Sequence, residues 1–143
     1  MFKKLMTTPN SPALAVVRLA LGVVMFAHGA QKALGWFGGA GPSGTIGYFG
    51  ESLGVPALLT IMVIAAEFLG GLGLIVGALG RIAALGVIAV MVGAVALVHL
   101  PNGFFMSNGG FEFHILAIAM ALAVLIRGSG AFSLDRALAE RQG

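Results

Sequence analysis

The sequence has no cysteine, and only 9% of its 143 residues are charged. Without cysteine, thiol–disulfide chemistry within the chain and thiolate metal sites are excluded. A soluble domain of this length needs far more charged surface to stay dispersed. The pI of 10.0 comes from few charges, so nucleic acid is excluded as the natural partner and the charges serve better as topology signals. Long polar linkers are missing too, which leaves one domain, residues 1–143, with no room for a sizeable second one.

What is present is apolar chain: 59% hydrophobic residues and a mean hydropathy of +1.03. A hydrocarbon core of about 30 Å needs roughly 20 apolar residues at 1.5 Å each. Four stretches qualify as spans, about 13–34, 56–79, 82–100 and 111–126, each bounded by Gly, Pro or charge. The last is short unless its helix starts at Phe111 or earlier, which would draw Glu112 and His114 below the membrane surface. With four spans, the N-terminus, the middle loop and the tail at 128–143 share one side. That side carries Lys3, Lys4, Arg81, Arg127, Arg136 and Arg141, against Lys32 alone on the other. The positive-inside rule makes both termini cytoplasmic. Trp36, Phe37, Tyr48, Phe49, Phe104, Phe105 and Phe111 then cluster at the outer interface. The expected fold is an all-α membrane protein, an antiparallel four-helix transmembrane bundle. Its lipid contacts are those of a multi-pass protein, and Arg18 within the first span argues against that span being a cleaved signal sequence.

The outer loop "GWFGGAGPSGTIGYFGESLGVP" predicts a short interfacial helix capped by Ser43, with Ile46, Phe49 and Leu53 on one face and Gly54 and Pro56 at its end. Within it, "GAGPSG" fits the dinucleotide fingerprint but lacks the strand-to-helix context that motif requires, so it reads as loop. Gly22 and Gly29, Gly73 and Gly77, and Gly86 and Gly93 have the four- or seven-residue spacing that lets helix backbones approach inside lipid.

Ionisable residues within the spans are the candidates for chemistry, because a charge at bilayer depth costs about 2.5–3.5 kcal/mol on insertion scales and has to be buried and paired. Glu67 lies near the middle of the second span. Arg18 from the cytoplasmic side and His28 from the outer side are both within reach of it, and depth alone does not choose between them. Threading the spans antiparallel puts His28, Gln31, Lys32, His99, Glu112 and His114 in one outer layer above Glu67. Histidines facing water at the interface are the ordinary alternative reading of that layer. A metal site is disfavoured, since Glu112 and His114 are about 200° apart around a helix and no His-x-x-x-His pair exists to supply two ligands from one face. Acid, imidazole and ammonium groups together suit a carbonyl-bearing ligand, and a quinone arriving through the lipid fits that description.

These residues also resemble the DoxX family of small four-span bacterial membrane proteins. The resemblance is carried by "RLALG" at 18–22, "HGAQK" at 28–32, "GVP" at 54–56, "EFLGG" at 67–71, "GALGR" at 77–81, "GGFEF" at 109–113 and "GSGAFSLD" at 128–135. Phe111 stands where the family often has tyrosine, so any hydrogen bond from that phenol is absent here. The resemblance implies a multi-pass protein of the bacterial plasma membrane linked to redox metabolism, with relatives in a thiosulfate:quinone oxidoreductase and in oxidative-stress complexes.

The expected function is therefore a membrane subunit of a redox system, with Arg18, His28, Lys32, Glu67, His99, Glu112 and His114 as candidates for a polar core that binds a quinone-like ligand near the outer leaflet. Redox partner proteins would supply electrons, and a homo-oligomer stays open. The alternatives are a non-catalytic scaffold that docks soluble oxidoreductases on the tail "SLDRALAERQG", with Ser133 capping a short helix, and a small transporter coupled through Glu67 and Arg18.

Overall fold

A computed structural model of the chain describes residues 2–141, with side chains from Lys4 to Arg141. The Lys3 side chain and the last two tail residues, Gln142 and Gly143, lie outside the described residues. Among the described residues all regular structure is helical. A short α1 (Phe2–Met6) precedes α2 (Pro12–Ala33). The start of α2 follows from local chemistry: the Ser11 hydroxyl accepts from the Leu14 N–H, and Pro12 supplies a pre-set φ where no N–H is needed. After a 3-10 turn at Trp36–Gly38 comes α3 (Gly41–Leu53). This helix occupies the loop where the sequence predicts an interfacial helix and ends at Gly54, with φ +67°. Its start differs from expectation. Pro42 favours the first turn more strongly than Ser43 favours the cap, so the helix begins at Gly41 and Ser43 lies inside it.

Helix α4 (Ala57–Val76) follows, then a tight turn into α5 (Gly80–Ala94). Beyond α5 the chain does not unwind. It continues as a π-helical turn, Val95–His99, and a 3-10 turn, Leu100–Asn102. Pro101 has no N–H to donate back along the helix, which accounts for the changed winding of the residues before it. After a loop come α6 (Glu112–Arg127) and α7 (Leu134–Arg141).

Helix α2 lies against α4, α4 against α5, α5 against α6, and α6 against α2. Leu21, Met25, Leu74, Val87, Met91 and Val124 fill the centre, with Ala84, Ala117 and Ala121 between them. The outside is apolar as well. Val16 is 67% exposed, Leu58 70%, Leu116 65% and Ile126 69%, a distribution suited to lipid rather than water. Among the described residues, three helices are long and apolar enough to cross a membrane: Pro12–Ala33, Ala57–Val76 and Gly80–Asn102. With 16 residues, α6 spans about 24 Å, less than a hydrocarbon core.

The α2–α4 seam depends on glycine. A Cβ on Gly22 would sit 2.9 Å from Ile75 N and Leu74 Cβ, and one on Gly29 would overlap the Phe68 backbone. Bare backbone at these two positions brings the helices together, and Glu67 and Lys32 meet beside that seam.

Candidate functional site

The polar residues fall into two separate groups. At the end where the α4–α5 turn, the end of α6 and α7 meet, Arg18 is fully buried. It donates to main-chain carbonyls only: from Nε to Ser129 O at 2.7 Å, from Nη1 to Leu74 O and Ile75 O, and from Nη2 to Phe132 O at 3.1 Å and Ala131 O at 3.4 Å. Leu74 and Ile75 belong to the last turn of α4, whose carbonyls have no partners within the helix, and a cation there also complements the helix dipole. Asp135 does the reverse for α5. Its carboxylate accepts from Leu79 N–H at 2.7 Å and Gly80 N–H at 3.0 Å, and from the Ser129 hydroxyl at 2.6 Å. The segment expected as a tail is thus folded into this base, with Asp135 only 2% exposed. Ser133 caps α7 through Arg136 N–H at 3.3 Å, as its sequence position predicts. Ser129 and Asp135 were missed as structural residues, although they lie in the "GSGAFSLD" element that carries part of the DoxX resemblance.

The second group lies toward the other end. Glu67, 4% exposed, pairs with neither Arg18 nor His28. Its Oε2 receives a hydrogen bond from Lys32 Nζ at 2.6 Å. The sequence reading treats Lys32 as an outer-side charge, but α2 runs on to Ala33, so the lysine stem starts on the helix and reaches inward along it. Next to the pair is a cavity of about 450 Å³. His28 and Lys32 reach it from α2, Glu67 from α4, His99 from the π turn and His114 from α6. The rest of the lining is chiefly apolar, including Phe49 and Leu53 from α3, which places one face of that helix over the cavity.

The histidines are closely grouped. The His99 and His114 ring centroids are 4.2 Å apart with the ring planes tilted by 41°, and the His28 ring lies 6.0 Å from the Phe113 ring. His114 is 4% exposed, and its Nδ1 is buried without a hydrogen-bond partner. His99 Nδ1 meets the Gly109 carbonyl at 2.7 Å. Glu112 stays apart. It sits in the first turn of α6, where its carboxylate accepts from Met106 N–H at 2.7 Å and holds the preceding loop. Two residues along one helix have sent Glu112 to the loop and His114 to the interior, the opposition that helix geometry requires. Of the seven candidates, five therefore surround one cavity, while Arg18 ties the base at the far end of the molecule and Glu112 ties the loop before α6. Among the described residues no group of three His, Asp or Glu side chains could hold a metal ion.

Apolar helices of membrane-crossing length define the chain as an all-helical, multi-pass membrane protein. It belongs to the DoxX family, whose sequence profile matches residues 13–100. A protein of Bacillus subtilis (strain 168) named "Putative oxidoreductase CatD" is 31% identical over 120 residues, covering 84% of this chain and 82% of that protein. No solved structure matches the chain.

Proposed function

We propose that the chain is a membrane subunit of a redox system and binds a quinone-like ligand in the cavity bordered by His28, Lys32, Glu67, His99 and His114. The observation that carries this reading is the convergence of an ion pair and three imidazoles on one otherwise apolar cavity of about 450 Å³. That volume falls in the range of small-molecule sites, which are largely apolar with a few placed polar groups. A hydrophobic ring would be enclosed by Met25, Phe49, Leu53, Met91 and Phe113, and its oxygens would meet the polar groups. Lys32 donates, the Glu67 carboxylate accepts, and imidazoles do either, so the set can hold a ring oxygen and exchange a proton with it. The chain has no cysteine pair of its own, so electrons come from a partner protein, and the similarity to a relative named as an oxidoreductase supports that assignment.

In this reading α2, α4, α5 and α6 form an antiparallel four-helix bundle in a bacterial plasma membrane, with α6 extended to the interface by the loop before it. Both termini are cytoplasmic and the cavity lies toward the outer leaflet. The basic residues at the Arg18 end and the aromatic pairs Phe104–Phe105, Phe104–Phe111 and Trp36–Phe37 at the other support that orientation. The scaffold alternative has less support, because the tail that would dock partners is engaged with Arg18 and with α5. The test is calorimetric titration of the purified protein in lipid nanodiscs with a short-chain benzoquinone. Saturable binding that weakens at least tenfold in Glu67→Ala is expected, and absence of binding would overturn the reading.

A further inference from the structure

The protein holds His99 by one ring nitrogen. Its Nδ1 lies 2.7 Å from the Gly109 carbonyl oxygen, and a carbonyl can only accept, so Nδ1 carries the proton. That carbonyl also accepts from Asn102 Nδ2 at 3.3 Å. Gly109 has φ +76°, a conformation glycine adopts without strain. The loop presenting it is tied down by Met106 N–H to Glu112 at 2.7 Å, Gly110 N–H to Phe105 O at 3.0 Å and Phe111 N–H to Gly103 O at 3.2 Å. A neutral imidazole protonated at Nδ1 has a lone pair at Nε2. On the cavity-lining His99, Nε2 has no protein partner among the described residues. Glu67 adds a second acceptor, since Lys32 engages only its Oε2.

We propose that the cavity selects the hydroxyl-bearing, reduced form of its aromatic ligand, with one ring hydroxyl donating to His99 Nε2. This deepens the reading of the cavity as a quinone-type site and rests on it. A ring carbonyl in the same place would set lone pair against lone pair and leave a desolvated acceptor unpaired, a mismatch that sites built around a hydroxyl reject strongly. Lys32 does not discriminate, because a hydroxyl oxygen accepts from an ammonium as a carbonyl does. Nδ1 of His114 is buried without a hydrogen-bond partner, so that ring does not present a fixed acceptor to the cavity as His99 does. Selection falls on His99 and Glu67. The Gly109 carbonyl is a positioning group that acts through His99.

The test is anaerobic calorimetric titration of the protein in lipid nanodiscs with three probes: a short-chain benzoquinol, the matching benzoquinone, and the dimethyl ether of the same quinol. The quinol is expected to bind about tenfold more tightly than either of the others, the worth of about 1.4 kcal/mol. His99→Asn, which keeps a donor toward Gly109 and has nothing at the Nε2 position, is expected to cut the ratio by more than half, the remaining preference resting on Glu67. His99→Gln, which restores an acceptor near the Nε2 position, is expected to recover part of it. Equal affinities for the three probes, or tighter binding of the quinone, would overturn the proposal and leave the quinone site standing. An unchanged ratio in correctly folded His99→Asn would overturn the role of His99. If no probe binds, the quinone-site reading falls and the selectivity falls with it.

Discussion

Gly29 and Lys32 are three residues apart on α2, and the first governs what the second can do. Without a side chain at Gly29, the Glu67–Phe68 backbone packs directly on α2. Lys32, one turn further, then reaches Glu67 at 2.6 Å. Gly29→Ala is expected to force the seam apart and cost on the order of 2 kcal/mol, read as a lower thermal midpoint in detergent. Gly93→Ala serves as the contrast. A Cβ at Gly93 would meet nothing within 4 Å, and the residue lines the cavity. Its thermal midpoint should stay near that of the parent while ligand affinity changes. If both variants melt alike, the close approach is not what stabilises the seam. The ion pair has its own test. The Lys32 and Glu67 side chains are 21% and 5% exposed, so removing Glu67 leaves a mostly buried ammonium without its counter-charge. Glu67→Ala is expected to cost on the order of 3 kcal/mol, and the double variant with Lys32→Met less than the sum of the single changes. Additive losses in that cycle would mean that the two side chains act independently.

Among the elements, the α4–α5 turn is the most heavily determined, and residues distant in sequence determine it. Leu79 has a positive φ of 50° at the start of α5 and offers no side-chain cap. Asp135, on α7, supplies the cap instead. Asp135→Ala would leave the Leu79 and Gly80 N–H groups and the Ser129 hydroxyl without that acceptor, and a loss of about 2 kcal/mol is expected from a cap and a buried donor together. Deleting residues 131–141 should cost more, because Arg18 would also lose the Ala131 and Phe132 carbonyls. Thermal melting of the two variants checks the order, and a truncated protein as stable as the parent would show that α7 is dispensable to the base. Much of the helix layout is legible in sequence because apolar runs and Gly or Pro boundaries are local signals: α2 and α4 lie within a few residues of the stretches read as spans. The opposition of Glu112 and His114 follows from helical periodicity alone. What the sequence could not supply was partner choice. Depth along a span compares Arg18 and His28 with Glu67, but it ignores the reach of the Lys32 stem and the supply of free carbonyls at a helix end. Asp135 was hidden for a similar reason: a charged residue in a polar stretch gives no sign that two N–H groups from a turn 55 residues earlier are waiting for it.

For the molecule as a whole, the two polar groups sit at opposite ends of an apolar body, and the function depends on which end faces the cytoplasm. Arg18 at one end is saturated by carbonyls and closed over by the C-terminal segment, whereas the cavity with Glu67 and the histidines belongs to the other. If the positive-inside rule governs insertion, the closed base is cytoplasmic, and in the proposed reading any protons exchanged at the cavity would pass to and from the outer side. A ligand dissolved in the bilayer would then enter laterally beneath α3, whose Phe49 and Leu53 line the cavity. The absence of cysteine gives a clean way to test this, since any thiol introduced is the only one in the chain. Glu51 on α3 and Glu140 on α7 are both exposed, and neither supports another element. In intact bacterial cells with a permeable outer layer, Glu51→Cys is expected to react with a membrane-impermeant maleimide, whereas Glu140→Cys should react only after the membrane is opened. The reverse pattern would turn the molecule over, placing the cavity toward the cytoplasmic leaflet and its proton exchange on that side. Labelling of both positions in sealed cells would mean that the chain inserts in two orientations, and the charge imbalance between its ends would then be too small to fix its topology.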